Sequence, residues 1–290
     1  MKGIVPVVIT PFKGGIVDIF SMINLLEYLN SKGASQFWMF GTGGEDWSLS
    51  IEDRVSIIRE IKKQKSLNSC KFIYGIGNLG LKKTLILSEI YNDLKVDCAH
   101  YIQPCKVLSP ELILQHYKKI KFIYKGNLWG YFSDNYSRSF IPDEWNYEDL
   151  KSLLRGIKIS TLNISNLKDA INETSSDFIL PAKAKQFFNS LNAGAQSTTS
   201  IEANISFIHL NEIYTLFKNG KKNAAKKAQE TFDNRAASVR TKLGSYNFMN
   251  IAEIKYVLYC NKLISSFELS DDLANLSENC KCSLSQLKVD

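Results

Sequence analysis

Short, almost continuously hydrophobic segments alternate along this chain with longer segments whose apolar residues recur at helical spacing. The short segments recur every ~25 to 30 residues and are typical of parallel strands buried on both faces. Eight strand–helix alternations within the first two thirds of the sequence predict an α/β fold, a (β/α)8 TIM barrel. The predicted strands are Ile4–Thr10, Gln36–Gly41, Phe72–Ile76, Ala99–Gln103, Leu128–Phe132, Gly156–Ile159, Phe178–Leu180 and a weaker Thr198–Ile201.

Helix boundaries can be predicted from residue chemistry between these strands. Gly33 suits the position just past a helix end because glycine adopts a left-handed backbone without strain. Ser50 with Asp53 resembles a capping box, and Ser109 before Pro110 is a typical helix start. These signals place helices where the barrel interpretation requires them.

The remaining sequence predicts a second, helical region. From about residue 204 onward only helical patterns occur, so we expect a barrel over 1–203 and a C-terminal helical extension over 204–290 packed on it. With 290 residues, 44% of them hydrophobic, the chain can bury a sizeable core.

Composition indicates where the protein is located in the cell and which kinds of partner it binds. No apolar run reaches the ~18 to 20 residues that a transmembrane helix needs, and the first residues are better explained as a strand than as a signal peptide. Six scattered cysteines are typical of reduced cytosolic thiols, so we expect a cytoplasmic protein without a membrane partner.

The net charge of +7 does not indicate nucleic-acid binding. The densest basic cluster, Lys218–Lys227, is accompanied by no aromatic platform and no recognised motif, so a solvated helix face explains it. A positive field would instead favour small anionic substrates.

Lys158 is the most informative single residue, because it lies in the middle of the apolar segment Gly156–Ser160. Burying an ammonium group is costly, and desolvation favours the neutral amine. A neutral amine can attack a carbonyl carbon and form a Schiff base. In a barrel, Lys158 would lie in the sixth strand, Tyr131 near the end of the fifth, and Gly41–Glu45 just after the second, so all three would meet at the catalytic mouth.

Two glycine-rich segments are candidate binding sites, one for a carboxylate and one for a dinucleotide. Gly41-Thr42-Gly43-Gly44-Glu45 can expose backbone amides and, with the Thr42 hydroxyl, hold a carboxylate; a plain glycine turn is the alternative. The segment 75–80 matches GxGxxG, but no acidic residue ends the following strand, so a barrel turn explains it better than a dinucleotide site. The histidines form no metal-binding spacing, and we expect neither a metal nor a cofactor.

Taken in order, these segments resemble the dihydrodipicolinate synthase / N-acetylneuraminate lyase family of class I aldolases. The resemblance runs from about residue 2 to the early 200s, and the combination is more specific than any one motif. The matching pieces are Thr10-Pro11-Phe12, the loop 41–45 with Leu49 and Glu52 after it, Gly156-Ile157-Lys158, and Gly194 leading to Ser200 and Asn204.

The resemblance implies a pyruvate-binding barrel that forms a homo-oligomer, a dimer or a tetramer. It implies that Lys158 forms the Schiff base, that Tyr131 shuttles protons, and that Thr42 and the loop amides hold the pyruvate carboxylate. The substrate-binding residues that it implies are Gly41, Thr42, Gly43, Arg138 and Thr199.

The chain departs from the family pattern at several positions. Gly43 replaces a second hydroxyl residue, and Lys106 replaces a tyrosine of the proton relay in the synthases. A longer segment carries Arg138, which would grip the carboxylate of the aldehyde substrate.

The function that the resemblance implies best is 4-hydroxy-tetrahydrodipicolinate synthase, a lysine-biosynthesis enzyme that condenses pyruvate with aspartate semialdehyde. The alternatives are a lyase for N-acetylneuraminate or another 2-keto-3-deoxy sugar acid, and a non-catalytic binding relative.

Overall fold

The structure is a computed structural model that describes residues 1–77, 80–102, 109–133, 147–161, 163–239, 250–270 and 276–290. Strands and helices alternate through most of this chain. The strands are β1 Gly3–Pro6, β2 Phe12–Lys13, β3 Ile16–Val17, β4 Gln36–Met39, β5 Lys71–Gly75, β6 Cys98–Ile102, β7 Asn127–Ser133, β8 Gly156–Ser160, β9 Ile179–Pro181 and β10 Ser197–Ser200. The helices are α1 Ile19–Ser31, α2 Ile51–Lys63, α3 Gly80–Asp93, α4 Pro110–Ile123, α5 Tyr147–Leu153, α6 Ile164–Glu173, α7 Phe187–Asn192, α8 Phe207–Lys218, α9 Lys222–Val239, α10 Asn250–Cys260 and α11 Glu278–Ser285.

The chain divides into two compact units. The first, which we call the central unit, comprises Met1–Gly3 and Lys71–Thr199. The second, the terminal unit, comprises Ile4–Cys70 and Ser200–Asp290. The C-terminal helices thus belong to the same unit as the first strands and helices. The domain boundary at residue 203 stays a prediction.

The central unit is a parallel sheet with helices between its strands. β5, β6, β7, β8 and β9 pair in parallel in chain order, and a parallel bridge between Ala182 and Thr199 continues the series to β10. α3, α4, α5 and α6 each connect two successive strands. Sequential parallel strands joined by helices are the repeating unit of a (β/α)8 barrel.

Register defines two faces of this sheet, because paired residues of parallel strands point to the same side and successive residues alternate. Tyr131 pairs with Lys158, and Lys158 pairs with Leu180. Ala182 follows Leu180 by two residues and pairs with Thr199, so Thr199 lies on the same side. We call this side the lysine face.

Helices cover the opposite side of the central sheet. The Tyr117 ring of α4 meets the Tyr101 ring of β6 edge to face, with 5.4 Å between centroids. The Tyr91 hydroxyl of α3 donates a hydrogen bond to Gly75 O at 3.0 Å. Gly130 leaves room for this packing, because a Cβ there would lie 3.1 Å from the Tyr117 hydroxyl oxygen.

The helix start and the helix end that the sequence predicted are confirmed in the terminal unit. Ser50 caps α2 in a capping box with Asp53, and Gly33, at φ 101°, follows the end of α1. In the central unit, Ser109 caps α4 and Pro110 opens it, as expected.

Two features of the terminal unit differ from the predicted pattern. β1 ends at Pro6, earlier than predicted, although Val7 N still donates to Ser200 O and Val8 N to Trp38 O. The hairpin β2–β3 was not predicted; Gly14 and Gly15, at φ 60° and 77°, form its turn.

Candidate active site

Lys158 occupies the centre of β8, and all five residues of that strand are buried. Its side chain is 6% exposed, and Nζ lies over the Tyr131 ring, 4.3 Å from the centroid. Gly156 allows this strand to pack closely, because a Cβ there would lie 2.5 Å from the Trp129 ring and 2.7 Å from Phe178 O. The predicted lysine and tyrosine are therefore direct neighbours on one face.

Tyr131 is held in place from the helix side of the sheet. It is 5% exposed and is the register partner of Lys158. The Tyr117 hydroxyl donates to Tyr101 O at 3.4 Å and accepts from the Tyr131 backbone. Burial, reinforced by nearby Tyr101, raises the pKa of Tyr117, so its phenol stays protonated and can keep donating. Tyr117 thus joins β6 and β7 beside the catalytic tyrosine that the sequence predicted.

Thr199 is the third predicted residue on the lysine face. It is fully buried, and its hydroxyl oxygen has no hydrogen-bond partner among the described residues. Ser197, two positions earlier in β10, also has a buried hydroxyl without a hydrogen-bond partner among the described residues. Sequence reasoning missed Ser197, although the strand alternation in Ser197–Ser200 placed it on the side of Thr199.

The predicted carboxylate loop belongs to the terminal unit. Residues Thr42–Gly44 form a 3-10 turn in which Gly44 N donates to Gly41 O at 2.8 Å and Glu45 N donates to Thr42 O at 3.1 Å. Two amides of the loop therefore close the turn. The amides of Thr42 and Gly43 and the buried Thr42 hydroxyl make no hydrogen bond to any described residue. This leaves three donors for an anion.

Packing explains the glycines of this loop. A Cβ on Gly43 would lie 3.0 Å from Val7 Cγ1 and 3.1 Å from Ile201 Cδ1, and a Cβ on Gly44 would lie 2.9 Å from Val8 O. A second hydroxyl side chain at position 43 would therefore require Val7 and Ile201 to shift by a few tenths of an ångström.

A buried ion pair at the end of this loop was not predicted. Glu45, whose side chain is 2% exposed, pairs with Lys255 of α10, which is fully buried. Burial lowers the pKa of Lys255, while the Glu45 carboxylate opposes that shift. The two residues lie far apart in sequence, and Lys255 falls within an apolar helix segment, so no local signal pointed to the pair.

The GxGxxG motif at 75–80 includes Gly77, where packing explains the glycine. A Cβ on Gly77 would lie 2.5 Å from Ile102 O and 2.7 Å from Ile102 N. Close approach to the backbone of Ile102 therefore explains a glycine at position 77. Arg138 and Lys106 lie outside the described residues.

The described ranges contain neither a metal-binding cluster nor a membrane-spanning helix. No group of three His, Cys, Asp or Glu side chains among them could hold a metal ion. In the same ranges, every helix is too short or too polar to cross a membrane.

Comparison with known proteins gives one family. The dihydrodipicolinate synthetase family matches residues 1–287. The 4-hydroxy-tetrahydrodipicolinate synthase 2 of Clostridium acetobutylicum is 26% identical over 301 aligned positions, covering 97% of each chain. N-acetylneuraminate lyase from Fusobacterium nucleatum, solved with pyruvate, superposes with a TM-score of 0.87 at 18% identity, covering 99% of this chain and 96% of that one. A monomeric dihydrodipicolinate synthase variant gives 0.86 at 20% identity, covering 99% and 95%. These likenesses show that the fold is a TIM barrel.

Proposed function

This chain belongs to the dihydrodipicolinate synthetase family, and from that premise we propose that it is a class I pyruvate aldolase in which Lys158 forms the Schiff base. Family membership supports a pyruvate-dependent carbon–carbon lyase. The observation that carries the lysine assignment is the amine of Lys158, buried on the lysine face 4.3 Å from the centroid of the Tyr131 ring.

Burial prepares Lys158 for attack on a ketone. A buried ammonium group loses several kcal/mol of hydration, whereas the face of an aromatic ring returns ~1 to 2 kcal/mol. Desolvation disfavours the charged form of a buried lysine, and the neutral amine is the nucleophile that attacks a ketone. The amine adds to the ketone carbon of pyruvate, and loss of one water gives the imine.

Tyr131 moves the protons of the following steps. The imine withdraws electrons, so a methyl proton leaves and an enamine forms. The enamine carbon then adds to the aldehyde carbon, and the resulting alkoxide takes a proton. Addition of water to the product imine breaks its bond to Lys158 and frees the amine. A positioned phenol that carries these protons contributes ~10²- to 10⁴-fold to the rate. Tyr131 is the phenol beside the amine, and Tyr117 fixes its backbone.

The pyruvate carboxylate is held by Thr42 and the loop. We assign this role to the Thr42 hydroxyl and the amides of Thr42 and Gly43, because these donors are unused among the described residues. Thr199 contributes a second substrate-facing hydroxyl, and Arg138 grips the aldehyde substrate's carboxylate.

The proposed reaction is condensation of pyruvate with aspartate semialdehyde, the activity of a 4-hydroxy-tetrahydrodipicolinate synthase. The names of several curated relatives at 24–30% identity support this choice. A sugar-acid lyase is the second candidate, favoured by the equal likeness of fold to N-acetylneuraminate lyase.

A substrate panel separates these candidates. Pyruvate consumption would be measured with aspartate semialdehyde and with the aldehyde components of N-acetylneuraminate and other 2-keto-3-deoxy sugar acids. We expect turnover with aspartate semialdehyde, lost in Lys158→Met and kept in Lys63→Met, which changes an exposed lysine. Preference for a sugar aldehyde would select the lyase. No turnover with any aldehyde, in protein shown to be folded, would favour the non-catalytic relative.

Three finer expectations remain predictions. They are the homo-oligomer, the cytoplasmic location, and the packing of residues 204–290 on the barrel. Light scattering of the purified protein tests the first.

A further inference from the structure

Glu45 ends the carboxylate loop in an unusual backbone conformation. Its φ of 54° lies in the left-handed region, which residues other than glycine adopt only when their surroundings hold them there. Its amide closes the turn by donating to Thr42 O at 3.1 Å. The position of Glu45 therefore directly affects the position of Thr42.

The Glu45 side chain is held by two groups from the C-terminal region. Lys255 pairs with one carboxylate oxygen, and Ser270 N donates to the other at 2.7 Å. A buried carboxylate needs such partners, because losing one leaves an uncompensated charge in the interior.

Lys255, the partner of Glu45, is itself held by two further contacts. Its Nζ donates to Glu268 O at 2.8 Å and lies 4.6 Å from the centroid of the Phe12 ring. Glu268 is itself bridged to Phe12 in antiparallel fashion. The lysine is thus anchored to the β2 strand as well as to its own helix.

We propose that Lys255 is a positioning residue for the pyruvate carboxylate: through Glu45 it sets the turn that presents the Thr42 hydroxyl and the amides of Thr42 and Gly43. This inference rests on the proposed function. It also gives the C-terminal helices a role in the site. Other contacts hold the loop from elsewhere, since Thr10 donates to Gly44 O and Arg54 to Asp46 O, both at 2.7 Å. Loss of Lys255 should therefore displace the turn without unfolding it.

A double variant separates positioning from stability. Lys255→Met alone leaves Glu45 as a buried unpaired carboxylate and is expected to unfold at lower temperature. Glu45→Gln/Lys255→Met removes both charges and should recover most of the Tm. The matched control is Glu60→Gln/Lys63→Met, which neutralises an exposed pair on α2.

Two readouts are then compared in the double variant and the parent. Because the turn loses its anchor, amides of the peptide 41–49 should exchange with deuterium faster, while those of 51–63 should not change. The KM for pyruvate should rise by roughly tenfold, the loss of about one charge-assisted hydrogen bond, while kcat at saturating pyruvate stays within a few-fold. The control should change neither readout.

The outcomes distinguish this inference from the proposed function. If the peptide 41–49 of the double variant exchanges deuterium at the parental rate, Lys255 is merely structural. The same holds if the peptide exchanges faster while the KM for pyruvate stays unchanged. If the parent itself forms no imine with pyruvate, the proposed function fails. In that case the exchange measurement still decides whether Lys255 sets the turn.

Discussion

Replacing Thr42 by valine removes one hydroxyl group and keeps the shape of the side chain. In the structure that hydroxyl oxygen is buried and has no hydrogen-bond partner among the described residues. We therefore expect opposite effects on the unliganded protein and on pyruvate binding, because the same hydroxyl is unpaired in one state and paired in the other.

The magnitudes follow from the cost of an unpaired polar group. Leaving a buried hydroxyl unsatisfied costs ~1 to 3 kcal/mol, so Thr42→Val should raise the free energy of unfolding without pyruvate by up to that amount. A hydrogen bond to a carboxylate contributes ~1.5 to 3 kcal/mol, so the KM for pyruvate should rise roughly 10- to 150-fold.

Two assays measure these effects. Urea unfolding followed by tryptophan fluorescence gives stability, and initial rates over a range of pyruvate concentrations give KM. Thr42→Ser is the control, because it keeps the hydroxyl and should stay close to the parent in KM. A Thr42→Val protein that is less stable than the parent and has the parental KM would refute the reasoning, since the hydroxyl would then serve the fold alone.

Three further predictions concern the two units. Tyr131→Phe should still form the imine but lower aldol turnover by ~10²- to 10⁴-fold, measured by steady-state rates beside borohydride trapping; unchanged turnover would remove Tyr131 from the proton path. Gly77→Ala should destabilise the protein by ~1 to 3 kcal/mol in urea unfolding, because its Cβ would lie 2.5 Å from Ile102 O; a neutral effect would show that β6 can move. Ser50→Ala should cost ~1 kcal/mol through loss of the α2 cap, and Ser50→Asp, which can still cap, should restore most of the unfolding midpoint.

The fold was predictable where the signals are local. Apolar runs located every strand of the predicted series within a few residues, although β1 stopped at Pro6 and Gln103 lies outside the described residues. Ser50 and Ser109 marked helix starts because a cap is a property of three or four neighbouring residues. The hairpin at Gly14-Gly15 was missed because its strands have only two residues each.

The site was predictable only in part, because some of its geometry depends on distant residues. A lysine inside an apolar strand is visible in sequence, and the neighbouring position of Tyr131 follows from parallel register. The Glu45–Lys255 pair joins positions far apart in the chain, and nothing around Lys255 indicates a buried charge. The family resemblance is confirmed by the match over residues 1–287.

Borohydride reduction in the presence of pyruvate tests the central claim most directly. Intact mass and peptide mapping should show one pyruvate-derived adduct, on Lys158, that disappears in Lys158→Met. Lys255 serves as an internal control, because it is buried and paired with Glu45 and should stay unlabelled. No adduct in folded protein, or an adduct on a lysine other than Lys158, would contradict the account.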